Sequence, residues 1–536
     1  MDVISRARDI LPIIFGSVLG ANVLTMSVMN FFEIAARNIV LFYVVSLILL
    51  AIIFSICRVE YPTLTKREHL FSIAVAIVLF LIRIPYLFES LIGYSLIPLN
   101  DDPMHVPNLS SIIHTDRFPP RSMYDSSQFL GYYYAPWVPG AALYHAGLAS
   151  TVKQALGLVK LLYSFFITYF AVYASKVLFS EPKHRVVFLV LCFLYGGFDF
   201  LYWVSQLNFV PSHSEWWALS LGFRLQFSNF VTLYMWPQNH LLGALAVLFG
   251  LYLLATSKKT LAHGLSGLIF LSGVFSSPYA AFGALPFIAW FILKRRKLQA
   301  LPAAGLVFVL ISLPLWWILI GNEHVKFRFF GALDESWLNH KTLAFVVFLF
   351  IVCLEFWPLL TAAILFARRQ KDLHWPLVLS ILFLLSTFFF FYHENYSIKS
   401  SMIPVWTLSW LATPYISAIY SSPRRKWLWL IAAVYLPGTL LEYASSTKMA
   451  IDSFKASREP FYAAALQSNL SSDRIVSSKL TSEAAKHDAG WIVLEKHKPV
   501  AKSDITIDEA RLLHPDNRLR LTYAKVMGAF GTDGSR

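Results

Sequence analysis

Residues 258–297 read KKTLAHGLSGLIFLSGVFSSPYAAFGALPFIAWFILKRRK. Basic residues stand at both ends, Lys258 and Lys259 before and Lys294, Arg295, Arg296 and Lys297 after, and the apolar run between them is interrupted at Ser276-Ser277-Pro278-Tyr279. Proline lacks a backbone donor and restricts the residue before it, so the run is either one long span or two short ones. Loops rich in Lys and Arg collect on one side of a bilayer, and a single crossing would place the two basic clusters on opposite sides. The segment from 263 to 293 is therefore expected to go out and come back, as two short passes or as a re-entrant hairpin sheltered by neighbouring helices.

Working outward, apolar runs long enough for a hydrocarbon core of roughly 30 Å can be drawn at 11–32, 39–57, 70–90, 157–179, 187–210, 226–255, 300–320, 341–366, 375–392, 400–420 and 427–444. If Arg6 and Arg8 are cytoplasmic, the same side receives Arg58, Lys66 and Arg67, then Lys183 and Arg185, then Arg368, Arg369 and Lys371, then Arg424, Arg425 and Lys426. The first apolar run is long and lacks a small-residue cleavage site, so it reads as an uncleaved span. The expected fold is an all-α polytopic membrane protein with about 13 transmembrane helices, N-terminus in and C-terminus out. Residues 1–444 would form the membrane domain and 445–536 a small outward α/β domain, since composition turns soluble at Glu442 and 473–498 reads as strand, helix, strand.

Composition agrees. Of 536 residues 57% are hydrophobic and 14% charged, against roughly 25% charged in soluble domains. The net charge of +14 comes from the short basic loops, and no basic-aromatic nucleic-acid module is present. Cys57, Cys192 and Cys353 lie in or at the end of apolar runs, which leaves no disulfide framework and no CxxC metal site.

On the outward side the sidedness collects 91–156, 211–225, 321–340 and 393–399. The first is the long outer loop, and Asp101 and Asp102 open it directly after an apolar run, followed by His105, His114 and Asp116. In the bland reading, Asp101-Asp102-Pro103 caps a short helix in a wet loop. In the functional one, a single carboxylate of the pair acts as general base on a bound acceptor, or the two share a divalent cation. Downstream, the aromatic, proline-rich Tyr132 to Gly140 reads either as an interfacial aromatic belt or as a wall that stacks sugar or guides a lipid tail, with Tyr133 and Trp137 as substrate contacts.

Trp236-Pro237-Gln238-Asn239-His240 is a polar, proline-containing segment expected deep in the bundle, where its side chains either bond neighbouring helices or meet substrate. Arg224 is a phosphate candidate because guanidinium is the usual partner of phosphate. Arg328 and Lys399 are the further candidates, with Glu394 beside Lys399 in a short polar turn that could equally be solvated. Sequons at Asn108, Asn395 and Asn469 are expected to face outward. HExxH, Walker A, GxSxG and GxGxxG patterns in a convincing context are absent, which removes support for hydrolase and nucleotide-binding readings.

The layout of spans, the long first outer loop and Asp101-Asp102 at its start resemble the GT-C superfamily of membrane glycosyltransferases that use polyprenyl-phosphate-linked sugars. The resemblance covers about residues 60–440 and consists of this layout and one short motif. It implies that Asp101 or Asp102 is the catalytic base, that Arg224, Arg328 or Lys399 neutralises the donor phosphate, and that no metal is obligatory. It also implies an inverting transfer to a glycan, lipid or protein acceptor at the outer face of the cytoplasmic membrane. The chain departs from the oligosaccharyltransferase branch in having no WWDYG-like segment. The alternatives are a transporter or flippase, an O-antigen-type polymerase or ligase, and a non-catalytic assembly subunit; the polar residues concentrate on one side and no two related halves are visible, which argues against transport.

Overall fold

The computed structural model describes residues 10–57, 59–88, 102–120, 130, 134–196, 227, 230–235, 238–295, 297–315, 328–329, 339–391 and 399–456. Among them the chain is almost entirely helical. Helices α1 (Ile10–Phe31), α2 (Ile39–Cys57) and α3 (Lys66–Phe80) come first; α4 (Asp102–His114) and α5 (Val138–His145) follow in the region expected to be an outer loop. Then come α6 (Val152–Leu178), α7 (Pro182–Leu194), α8 (Phe230–Met235), α9 (Gln238–Thr256), α10 (Thr260–Ser276), α11 (Pro278–Lys294) and α12 (Leu301–Ser312). The last are α13 (Lys341–Ala367), α14 (His374–Ser386), α15 (Met402–Tyr420), α16 (Arg425–Tyr435) and α17 (Pro437–Ala456). The described strands are two residues each, Arg328 opposite Phe391 and Phe329 opposite Phe390, antiparallel.

Eight of these helical stretches are long and apolar enough to cross a membrane. Three of them form the centre: 72% of the apolar window is buried in α1, α6 and α9, against 28% in the span ending with α2 and 22% in the one containing α12. The outer helices turn side chains such as Leu41, Ile48, Ile52, Leu306 and Phe350 outward, the surface expected where lipid replaces water as the solvent.

The 258–297 segment is a helical hairpin. Ser277 adopts an extended backbone, its hydroxyl accepts from Ala280 N–H at 3.1 Å, and Pro278 opens α11. This is the chemistry that starts a helix, a hydroxyl taking an orphan N–H and a proline where no donor is needed. The direction reverses there. Gly243 near the start of α9 lies against Gly273 and Ser277, Gly250 lies against Phe270, and Leu254, Ile292 and Ala300 share one apolar cluster. At 17 residues each, α10 and α11 extend about 26 Å, slightly less than a full crossing.

The basic loops meet at the end opposite the hairpin tip. Lys176 Nζ lies 2.8 Å and Arg185 3.4 Å from the Glu68 carboxylate. Lys259 Nζ donates to Ile56 O at 2.8 Å, and Tyr252 OH donates to Glu60 O. Lys294 lies 2.9 Å from Asp372, which joins the 294–297 and 368–372 loops. The loops around Glu68, Arg185, Lys259 and Lys294, grouped at one end by charge alone, thus carry these contacts among the described residues.

Two expectations change. The described part of the first outer loop is not a wet excursion: α4 packs on α5 and α6, with Val106, Leu109, Ile112 and Ile113 buried. Asn108 of the first sequon is itself buried within α4, so it is no accessible acceptor. At the other end, α17 continues to Ala456, so the composition change at Glu442 and the boundary at 445 fall inside a helix. The expected α/β tail, beyond 456, lies outside the described residues.

Candidate functional site

The site forms where the hairpin tip meets the first described turn of α9. Gln238, Asn239 and His240 are all buried, as the polar run in an apolar helix suggested. Gln238 Nε2 donates to Lys160 O at 3.3 Å, Asn239 Nδ2 to Ser276 O at 3.2 Å, and His240 Nδ1 lies 2.8 Å from Ser277 Oγ. Three consecutive side chains thus clasp α6 and both sides of the hairpin turn. Helix–helix hydrogen bonding, the bland reading of this segment, is therefore present, and it also sets the turn beside His240.

Around His240 the structure gathers residues that the chain keeps far apart. His105, from the first turn of α4, and Lys399 both lie within electrostatic reach of its ring. The His105 ring sits 4.5 Å from that of Trp137, centroid to centroid. Lys399 Nζ lies 5.8 Å from the centre of the Tyr279 ring, a cation–π geometry. Ser400 is held against α11 because Gly283 has no side chain: a Cβ there would stand 1.9 Å from Ser400 O. Lys399 is only 6% exposed, so the solvated-turn reading of this lysine is overturned. Trp137 is fully buried, as is Tyr134, whose OH is bonded to Asn30 at 3.2 Å. These two aromatics therefore belong to the interior and not to an interfacial belt, and burial pushes the Tyr134 phenol above its usual range.

Of the ten residues singled out in the sequence, His105, Trp137, His240 and Lys399 come together. Arg328 is placed by its backbone, opposite Phe391 on the strand that leads towards Lys399. Asp102 opens α4, one turn before His105. Asp101, Tyr133, Arg224 and Glu394 lie outside the described residues. Among the described residues no group of three or more His, Cys, Asp and Glu side chains could hold a metal ion.

The sequence reading passed over several interior residues. Arg83 is fully buried; its guanidinium donates to Met235 O at 2.6 Å and lies 5.8 Å from the Tyr234 ring centre. Tyr234 OH is 2.5 Å from Ser164 Oγ. Lys153 and Lys160, seven residues apart on α6, are buried too. Each was visible as a cation in or beside an apolar run, which is the usual mark of an interior role. From Glu68 to Arg83, from Lys176 to Lys160 and from Lys259 to Ser277, the three helical paths run about 22–27 Å at 1.5 Å per residue. The site and the basic loops are therefore separated by most of a bilayer core.

An apolar cleft of about 160 Å³ lies between α6, α7, α8, α9 and α15, lined by Phe170, Cys192, Phe230, Leu245, Ile403 and Trp406 among others. It reaches the first turn of α15, one turn after Lys399. No family model matches this chain, and neither a curated protein nor a solved structure matches it.

Proposed function

We propose that the protein is an inverting glycosyltransferase that moves a sugar from a polyprenyl-phosphate donor to a glycan, lipid or protein acceptor. The observation that supports this most is the meeting of a buried lysine, two buried histidines and a buried tryptophan at one end of the bundle, opposite the basic loops. A buried cation favours an anion, a phosphate is the anion that a membrane lipid brings, and the apolar cleft beside Ile403 suits the lipid's tail. With the basic loops cytoplasmic, the site faces the outer leaflet of the cytoplasmic membrane; about 13 crossings then put residues after 456 outside as well.

In this mechanism an acceptor hydroxyl attacks the anomeric carbon while Asp101 or Asp102 takes its proton. The bond from that carbon to the phosphate oxygen breaks, and polyprenyl phosphate leaves with the electron pair. Lys399, with Arg224 or Arg328, neutralises the charge that grows on the leaving phosphate. The N-terminal end of α11 at Ser277 adds a positive dipole end on the same side. One displacement inverts the configuration, and a protonated leaving group is not needed.

The test is transfer by the purified full chain from a panel of undecaprenyl- and decaprenyl-phosphate sugars. Asp101→Asn or Asp102→Asn is expected to lower turnover by about 10²–10⁴-fold with expression unchanged; full activity in both variants overturns the assignment. The polar segment that starts α9 also favours a second reading, a flippase for the same lipid. That reading predicts movement of the lipid-linked sugar across vesicles and no transfer in detergent.

A further inference from the structure

Near His240 the interior keeps polar atoms that make no hydrogen bond to any described residue. Trp137 Nε1, Asn108 Nδ2, Gln238 Oε1, Asn239 Oδ1 and Ser276 Oγ are buried with no partner among the described residues. They belong to one neighbourhood. The turn at Ala135–Trp137 packs on α10, which ends at Ser276; Asn239 is bonded to Ser276 O, Gln238 beside it reaches Lys160 O, and His105 lies against Trp137 and one helical turn from Asn108. A buried group in this state is costly, and five together point to something that binds them.

Their chemistry restricts what that is. Ser276 O and Lys160 O can only accept, so the amide nitrogens of Asn239 and Gln238 must face them. Oδ1 and Oε1 are thereby turned away as acceptors in need of a donor. Trp137 Nε1–H can only donate, Asn108 offers an N–H, and Ser276 can do either. An anion would satisfy the donors and leave the two acceptors bare; an alkyl chain would satisfy none. Hydroxyl groups, each able to give and take, satisfy all five.

Resting on the donor reading above, we infer that this group recognises the sugar of the lipid-linked donor through its hydroxyls, with Asn239 and Ser276 as specificity-determining residues beside the phosphate-binding Lys399.

Two substitutions probe this role, because each deletes a polar atom that bonds nothing else among the described residues. Ser276→Ala removes only Oγ, and Trp137→Phe removes Nε1 while leaving an aromatic ring against His105. A purely structural role predicts unchanged or higher thermal stability for Ser276→Ala and lower stability for Trp137→Phe, whose smaller ring leaves a cavity in a fully buried position, and in neither case a change in preference between glycoside and bare lipid. Binding is measured in detergent for undecaprenyl-phosphate glucose, galactose and mannose, and for sugar-free undecaprenyl phosphate. The expected result is that wild type prefers at least one glycoside to the bare lipid phosphate. Each variant then weakens that glycoside by about three- to tenfold without weakening the bare lipid. Equal affinity for glycoside and bare lipid, or equal weakening of both, overturns the sugar role and leaves the phosphate reading standing. Sugar-selective binding without transfer upholds the sugar role and removes the catalytic reading. Absence of binding by any of the four lipids overturns both.

Discussion

The two ends of this bundle handle their charges in opposite ways. At the basic end, Glu68 takes hydrogen bonds from Lys176 and Arg185, Lys176 also donates to Thr63 O, and Arg185 reaches Phe179 O and Ser180 O. Lys259 is spent on Ile56 O. Those contacts are half-exposed and tie loops to helix ends. At the other end the polar groups are buried, they come from α4, α6, α9, the hairpin turn and the start of α15, and several of their atoms bond nothing in the described protein. The charged groups of the basic end are met by that end's own contacts, although Tyr61 Oη there is buried with no partner among the described residues, whereas the other end gathers five such atoms. Each unmet group works against folding, and it is this gathering of five at one end on which the proposed sugar site rests.

The comparison breaks most sharply at Gly283. Its Cβ would meet the backbone oxygen of Ser400, which no rotamer change relieves, so Gly283→Ala should cost about 2–3 kcal/mol and displace Lys399. Gly305 in α12 has open space around it, and Gly305→Ala should be neutral or stabilising by up to about 1 kcal/mol. Thermal unfolding of the two purified variants checks the pair, and equal stability would show that the approach of α11 to Ser400 is loose.

A smaller effect is expected from charge alone. Lys399→Met should raise the KM for a lipid-phosphate donor about tenfold, with Lys399→Arg recovering part of it. An unchanged KM would remove Lys399 from phosphate binding. At the opposite end, Glu68→Gln keeps the capping box that Thr65 and Glu68 form at the start of α3 but deletes the charge facing Lys176 and Arg185. Because these side chains are partly exposed, stability should fall by no more than about 1 kcal/mol and transfer should not change; a loss of transfer would mean that the two ends are coupled.

The mildest test is pH. His145 ends α5 and donates from Nε2 to Ile113 O at 3.0 Å. Burial, with His114 nearby, holds its imidazole below the ordinary value, partly offset by that bond. The unfolded chain therefore binds this proton at a higher pH than the folded one, so stability rises with pH across the interval between the two values. On acidification, stability should begin to drop near the unfolded value of about 6.5, and His145→Gln should flatten the drop in a melting series from neutral to mildly acidic buffer.

Much of the fold was legible because a bilayer makes two signals local. Apolar length located the spans around α1, α2, α6, α9 and α13, and clusters of Lys and Arg grouped the loops at one end. Ser277-Pro278 announced the hairpin, since a hydroxyl followed by proline starts a helix wherever it stands. The site was legible only in pieces. His240 and its neighbours drew notice as polar residues in an apolar helix, yet Arg83 and Lys160 carried the same signal and were passed over.

What the sequence by itself determined is that the chain consists largely of apolar stretches, eight of them long enough as helices to cross a membrane among the described residues, and which polar residues those stretches carry. Which of those residues meet was decided only by tertiary structure. In a water-soluble helix the apolar stripe reveals the inward face. These helices are apolar all round, so lipid-facing and buried faces look alike in the chain, and packing of small residues such as Gly243 and Gly283 chooses between them. That choice buried one face of α4 and the turn at Ala135–Trp137, in a region expected to be a wet loop, and set His105, His240 and Lys399 around one turn at Ser277.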